Sequence, residues 1–381
     1  MTKTTAIWLC TTTILGAHTM AAESDSAWQQ RTRRRIEQHR RSRVTVRVLD
    51  KEGKPRKDVP VRLRMQRHDF AFGTAVKAKQ IAKLPEDDPY KRTVRELFNT
   101  VVFGNSHKWE WWENPGRRKY THEAMAWVRD AGLRLRGHTM IWQSNRFKPL
   151  PKDIEAAIAS GADSLRPVAR QRSLDHIAEI GAYCRDAVYE WDVLNEQVEH
   201  YGLTDYLNPG YAGTDAPVIA EWYREAARAA PGARLYLNEY HILVGDYAGH
   251  KDRFEQIIEN LLARDAPLGG LGFQCHFHGR KLLRSPQQTY ATLERFGRFG
   301  LPMLITEYDT FGGGWAKDRD ERERQEARFL EQFLPTVFSH PLMAGFVVWG
   351  FWDGKHWADN APFFREDWTP KPALDVYRRL V

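Results

Sequence analysis

Two short strings carry the chemistry this chain could perform: WDVLNE, ending at Glu196, and LITEYD, with Glu307 at its centre. Each is a β-branched, apolar run that delivers a carboxylate to the point where a strand would stop, which is where barrel enzymes keep their acids. Two carboxyl groups meeting at one strand-end rim are the minimal equipment for cutting a glycosidic bond. One protonates the leaving oxygen and the other attacks the sugar or activates water. Taken singly, either glutamate could be an ordinary rim ion-pair partner. Taken together, with Asn195 and Asp309 beside them, they read as a catalytic pair.

Such a pair needs a rigid frame, and the chain supplies a regular rhythm for one. Short apolar runs recur as FAFGTAV, TVVFGN, LRLRGHTMIW, VYEWDVLNE, RLYLNEY, GLGFQCHF, PMLITEYD and AGFVVWGF. Helical stretches with good apolar spacing, such as SLDHIAEIGAYCRD and RFEQIIENLLARD, lie between them. Eight strands alternating with helices predict an α/β fold, a closed (β/α)8 TIM barrel. Gly132, Gly232 and Gly300 each stand just ahead of a strand, where a left-handed helix cap is usually needed. The expected strand ends also supply Lys108 and Trp109, His138 and Trp142, Gln274 and His276, and Trp349 and Trp357. Polar donors interleaved with tryptophans suit a sugar, whose hydroxyls hydrogen-bond while its C–H faces stack on indoles. Of the 14 tryptophans, most of Trp109, Trp111, Trp112, Trp127, Trp191 and Trp222 are expected in the core, leaving Trp349, Trp352 and Trp357 for a ligand.

The first 22 residues have a lysine near the start, an apolar stretch and small residues at Ala21 and Ala22, the pattern of a secretory signal peptide. A secreted, extracellular or periplasmic protein is expected, with Cys10 lost and only Cys184 and Cys275 remaining, too few for a disulfide framework. Residues 23–67 read as a basic helical lead-in followed by a β-hairpin, VTVRVLD and VPVRLRMQ around KEGKP, and 68–381 as the barrel. With 381 residues, 42% of them hydrophobic, the chain can bury a large core. Much of its +8 net charge sits in the run from Arg31 to Arg43, a solvated helix face or a docking element for a polyanionic polymer. Nucleic acid is disfavoured as a partner, because the aromatics cluster with carboxylates that repel phosphate. No membrane partner is expected; the sequence leaves the oligomeric state open, with a monomer as the expectation. The string from Cys275 to His278 alternates sulfur and imidazole, but strand alternation sends Cys275 and His276 to opposite faces, so no metal is expected.

The strings FAFGTA, KW at Lys108 and Trp109, RGHTMIW, WDVLNE, NEY at Asn238 to Tyr240, GFQCH, ITEYD, and WGFWDGKHW followed by PKPA resemble glycoside hydrolase family 10, the β-1,4-xylanases. The resemblance is to the branch with a leading hairpin, and it runs in order from Arg35 to the C-terminus. It implies a retaining hydrolase of xylan or a decorated xylan-type polysaccharide, without metal or organic cofactor. Glu196 would be the acid/base and Glu307 the nucleophile, with carboxyl groups ~5–5.5 Å apart. His276, held by Asp309, would orient Glu307, and Asn195 would bind the 2-hydroxyl of the sugar being cleaved. Asn105, Lys108, His138, Gln274, Trp349 and Trp357 would line the non-reducing side, with Tyr240 on the leaving-group side and Trp142 and Gln143 also contacting substrate. The chain departs from the family pattern at Gly104, where a glutamate gripping the second sugar is expected, at Gln143, often a histidine, and in SNRFKPLPKDI, which lacks a tryptophan. The glycine suggests a subsite for a decorated or different sugar.

Overall fold

In the computed structural model, which describes residues 25–358 and 360–381, the apolar runs become β1 (Ala71–Val76), β2 (Thr100–Phe103), β3 (Arg134–Trp142), β4 (Val188–Asn195), β5 (Arg234–Glu239), β6 (Gly270–Phe273), β7 (His276–His278), β8 (Met303–Phe311) and β9 (Met343–Val348). All pair in parallel. The order runs from β6 back through β1 to β9 and β8, and β6 pairs with β8 to close an eight-stranded barrel, with β7 a short extension on β8. Strands wrapped by helices on one side and filled by side chains on the other are buried on both faces, which is why they read as continuous apolar runs. The barrel interior holds a small layer of Ala71, Val102, Tyr236, Leu304 and Val347, while the main core lies between strands and helices.

One expected strand divides. GLGFQCHF breaks after Phe273, and Cys275 adopts a left-handed backbone with φ of 65° before β7 resumes. Face alternation therefore does not run through this segment. Cys275 is buried in the core while His276 reaches the site, an outcome set by the left-handed residue. Gly132, Gly232 and Gly300 take positive φ as expected.

The expected β-hairpin reduces to its turn. The Asp50 carboxylate accepts the N–H groups of Glu52 at 3.0 Å and Lys54 at 2.8 Å, and a single antiparallel bridge joins Leu49 to Pro55. No strand flanks it, and Val44, Val46, Leu63 and Met65 stay exposed. A lone two-stranded ribbon is marginal without a surface to cover one face, and most apolar side chains of this segment stay in solvent.

The basic lead-in forms α1 (Asp25–Arg40), docked by one side rather than solvated all round. Trp28 and Thr32 are buried, and the Arg40 guanidinium donates to the carbonyls of Phe338, His340 and Met343 at 2.5–2.7 Å. The expected leader over residues 1–22 lies outside the described residues. Among those described, no helix is long and apolar enough to cross a membrane.

Candidate active site

Deep in the barrel, Arg136 on β3 donates to Glu190 at 2.7 Å and to Asp192 at 2.8 Å, both on β4. A buried guanidinium is tolerable only when carboxylates answer it. Asp192 also faces His138 Nδ1 at 2.9 Å, so this ion cluster ends by fixing an imidazole at the mouth of the barrel. Gly137, beside it, leaves room for the Trp191 ring, which a Cβ would meet at 2.1 Å.

At that mouth a cleft of about 380 Å³ gathers Glu196 and Glu307. Asn105, Lys108, His138, Trp142, Asn195, Gln274, His276, Trp349 and Trp357 share its walls, so the predicted residues converge as the barrel reading requires. Glu196 has φ of 60°, a left-handed geometry that costs roughly 1–2 kcal/mol for a side chain of this kind. It is held by its own N–H donating to the Asn238 carbonyl at 2.9 Å. The turn aims the carboxylate into the cleft, where Oε2 accepts from Trp142 Nε1 at 2.7 Å and Oε1 from Gln274 Nε2 at 2.8 Å.

Glu307 is more tightly tied. Its Oε1 accepts from Asn238 Nδ2 at 2.8 Å and its Oε2 lies 3.2 Å from His276 Nε2. Burial pushes the carboxyl up, but His138, His276 and Lys108 outweigh it and hold Glu307 at about 2. His276 in turn is drawn up to about 10: burial works against its charge, and Asp309 at 2.7 Å and Glu307 overcome that. Asp309 also accepts from Trp357 Nε1 at 2.7 Å, which ties the exposed indole to the same network. Lys108 is lowered by burial to about 8, Glu307 and Glu196 resisting the fall, and its ammonium rests 2.8 Å from Asn105 Oδ1 and 4.3 Å from the centre of the Trp142 ring.

Two predicted residues do not line this cleft. Gln143 is buried beneath the rim: its amide N–H donates to Gln197 at 2.6 Å and its oxygen accepts the N–H groups of Leu203 and Thr204. It holds the β4 loop and does not line the cleft, because every polar atom it has is satisfied internally. Tyr240 stands on the far side of Glu196, hydrogen-bonded to Glu199 and facing His200, whose Nε2 is 3.6 Å from Glu196 Oε2.

Asn238, outside the set of site residues expected from the sequence, holds Glu307 directly. It bonds Glu307 and, at 2.8 Å, Asn195 Oδ1, while Thr306 fixes its own oxygen at 2.7 Å. The signal was present as a repeated string, LNE at both 194–196 and 237–239, with Asn195 and Asn238 in register across β4 and β5. The second glutamate takes a different role: Glu239 is fully buried and accepts from Val198 N at 3.0 Å. Trp111, expected in the core, is half-buried on the cleft wall beneath Arg117, 4.1 Å from its ring centre. Trp352 has one face covered by Trp368, their ring centres 4.6 Å apart. Trp109, Trp112, Trp127, Trp191 and Trp222 are buried as expected.

Comparison with known proteins agrees with this geometry. The chain is 26% identical over 340 residues to endo-1,4-beta-xylanase B of Thermotoga neapolitana, covering 85% of this chain and 92% of that protein. It is 24% identical to the anti-sigma-I factor RsgI6 of Acetivibrio thermocellus over 93% of this chain, but spans only 42% of that longer protein. The fold superimposes on xylanase 10B of Thermotoga petrophila in complex with xylobiose with a TM-score of 0.70 at 22% identity, covering 82% of this chain and 94% of that one. The family model for glycosyl hydrolase family 10 matches residues 62–379, from just before β1 to the last helix, and the chain belongs to that family.

Proposed function

We propose that this protein is a retaining glycoside hydrolase of xylan-type β-1,4 polysaccharides. The observation that carries the reading is the unequal footing of the two acids in one cleft. Glu307 is an anion fixed by Asn238 and His276, whereas Glu196 sits on a left-handed turn at the rim and accepts from the neutral donors Trp142 and Gln274. In the first step Glu307 attacks the anomeric carbon, the glycosidic C–O bond breaks, and Glu196 gives its proton to the departing oxygen. In the second, Glu196 takes a proton from water, the hydroxide oxygen bonds to the anomeric carbon, and Glu307 leaves as the carboxylate. Asn195 supports this: its Oδ1 accepts from Asn238 and Gln274, which leaves its Nδ2 as the donor for a sugar hydroxyl. Trp349, Trp357 and Trp142 offer the apolar faces on which sugar rings stack. Export fits a polymeric substrate that cannot enter a cell, and the leader-like start of the chain supports it.

The test is product analysis on plain and decorated xylans, cellulose and mannan, coupled to Glu307→Ala. The variant should lose turnover and regain it with azide, which adds to the opposite face and gives an inverted glycosyl azide. Normal hydrolysis by Glu307→Ala would end the assignment.

A further inference from the structure

Next to the catalytic cleft, and sharing Asn105, Trp111, Trp349 and Trp357 with its wall, lies a second cavity of about 460 Å³ that contains neither acid. It is built where the chain leaves three adjacent strands. Lys77 and Lys79 follow β1, Gly104 follows β2, and Lys355 lies in the segment after β9. A volume of this size is in the ordinary range of ligand cavities.

Its charge is one-sided. Lys77, Lys79, Arg117 and Lys355 line it, and among the described residues no carboxylate does. Arg117 is answered from outside by Glu110 at 3.3 Å, and the Lys79 ammonium lies 5.7 Å from the Tyr120 ring centre. Lys77 and Lys355, by contrast, line the same cavity, and among the described residues no carboxylate pairs with either ammonium; burial first, and then Lys355, lowers the Lys77 ammonium. Two like charges held against one cavity repel, and an anion placed between them relieves that repulsion. The aromatic walls, Trp349 and Trp352 among them, offer apolar faces to a sugar ring carrying such an anion. Gly104 keeps the entrance open, since a Cβ there would meet nothing nearer than Trp349 at 4.0 Å.

We propose that this cavity receives the carboxylate of a uronic acid branch, so that the preferred substrate is an acidic, glucuronosyl-decorated xylan bound with its branch away from Glu196. The assignment rests on the hydrolase reading above for its polymer. Lys77 and Lys355 bridge the carboxylate, and the branch ring lies against the tryptophans.

The experiment compares glucuronoxylan with the same polymer after carboxyl reduction, which turns each uronate into a neutral hexose and leaves the backbone intact. At low salt kcat/KM should be about tenfold higher on the acidic polymer, the size expected for charged contacts at a partly solvated site. The ratio should shrink as salt is added. It should fall to near one in the Lys77→Gln/Lys355→Gln double variant and in Gly104→Glu, which puts a carboxylate into the cavity. Equal rates on the two polymers, or a preference that survives the double substitution as general attraction to a basic protein would, overturns the assignment. Calorimetry on Glu307→Gln, with a glucuronosyl xylo-oligosaccharide and its carboxyl-reduced counterpart, separates this claim from the hydrolase reading. Acid-selective binding with no turnover of either polymer by the wild type upholds the cavity and sinks the hydrolase. Turnover with equal binding of the two oligosaccharides sinks the cavity alone.

Discussion

Replacing His276 by glutamine removes the cation that keeps Glu307 ionised, and the structure sizes the consequence. Glu307 sits at about 2 although burial alone drives it upward, so the lowering is the work of His138, His276 and Lys108 together. Of these, only His276 is in direct hydrogen-bond contact, at 3.2 Å. A hydrogen bond to a charged group contributes about 1.5–3 kcal/mol, which corresponds to about one to two pH units. The sign follows from the depressed carboxyl. The anion is complete above its folded pKa and is lost as pH falls through it, so raising that pKa moves the acid limb of activity to higher pH. Since kcat/KM reports the free enzyme, the assay is kcat/KM for an aryl β-xylobioside between about pH 3 and 8. The wild type should lose nothing to Glu307 protonation over that range, whereas His276→Gln should show an acid limb raised by about one to two units. A melting curve accompanies the assay, because Asp309 loses its imidazole partner and keeps Trp357. A variant that is uniformly slower at every pH, with its acid limb unmoved, would refute the electrostatic role and leave His276 a packing residue.

Asn238→Ala should lower kcat/KM about 10- to 100-fold, because one charged hydrogen bond to Glu307 is lost and Thr306 is left without its acceptor. Steady-state kinetics and a thermal melt measure it, and activity within twofold of wild type would show that the asparagine is not needed to hold the nucleophile. Gly137→Ala should destabilise the barrel by at least about 1–3 kcal/mol, since the new methyl would meet the Trp191 ring at 2.1 Å in a buried layer. An unchanged denaturation midpoint would mean that Trp191 has room to move.

The frame of the site is legible in the sequence, for reasons that are local. Strands buried on both faces must be apolar throughout, so they stand out as runs, and the carboxylates closing VLNE and centred in ITEYD mark where the rim lies. Helices ending at Gly132, Gly232 and Gly300 announce themselves because a left-handed residue without Cβ strain is a local requirement. The direction of a side chain at a strand end is not local. Glu196 and Glu239 close the same LNE string, yet one enters the cleft from a left-handed turn and the other is buried to accept the Val198 N–H. Which asparagine touches Glu307 depended on the register of β4 with β5 and on Thr306 from β8. Likewise Gln143 turned under the rim because the amides of Leu203 and Thr204 needed an acceptor, and the expected hairpin before the barrel kept only its turn, with Val44, Val46, Leu63 and Met65 exposed. Apolar periodicity and residue type suffice to specify the barrel, the two acids and the aromatic wall. Which polar atoms are left over for a ligand depends instead on how distant backbone donors and acceptors are satisfied once the barrel closes.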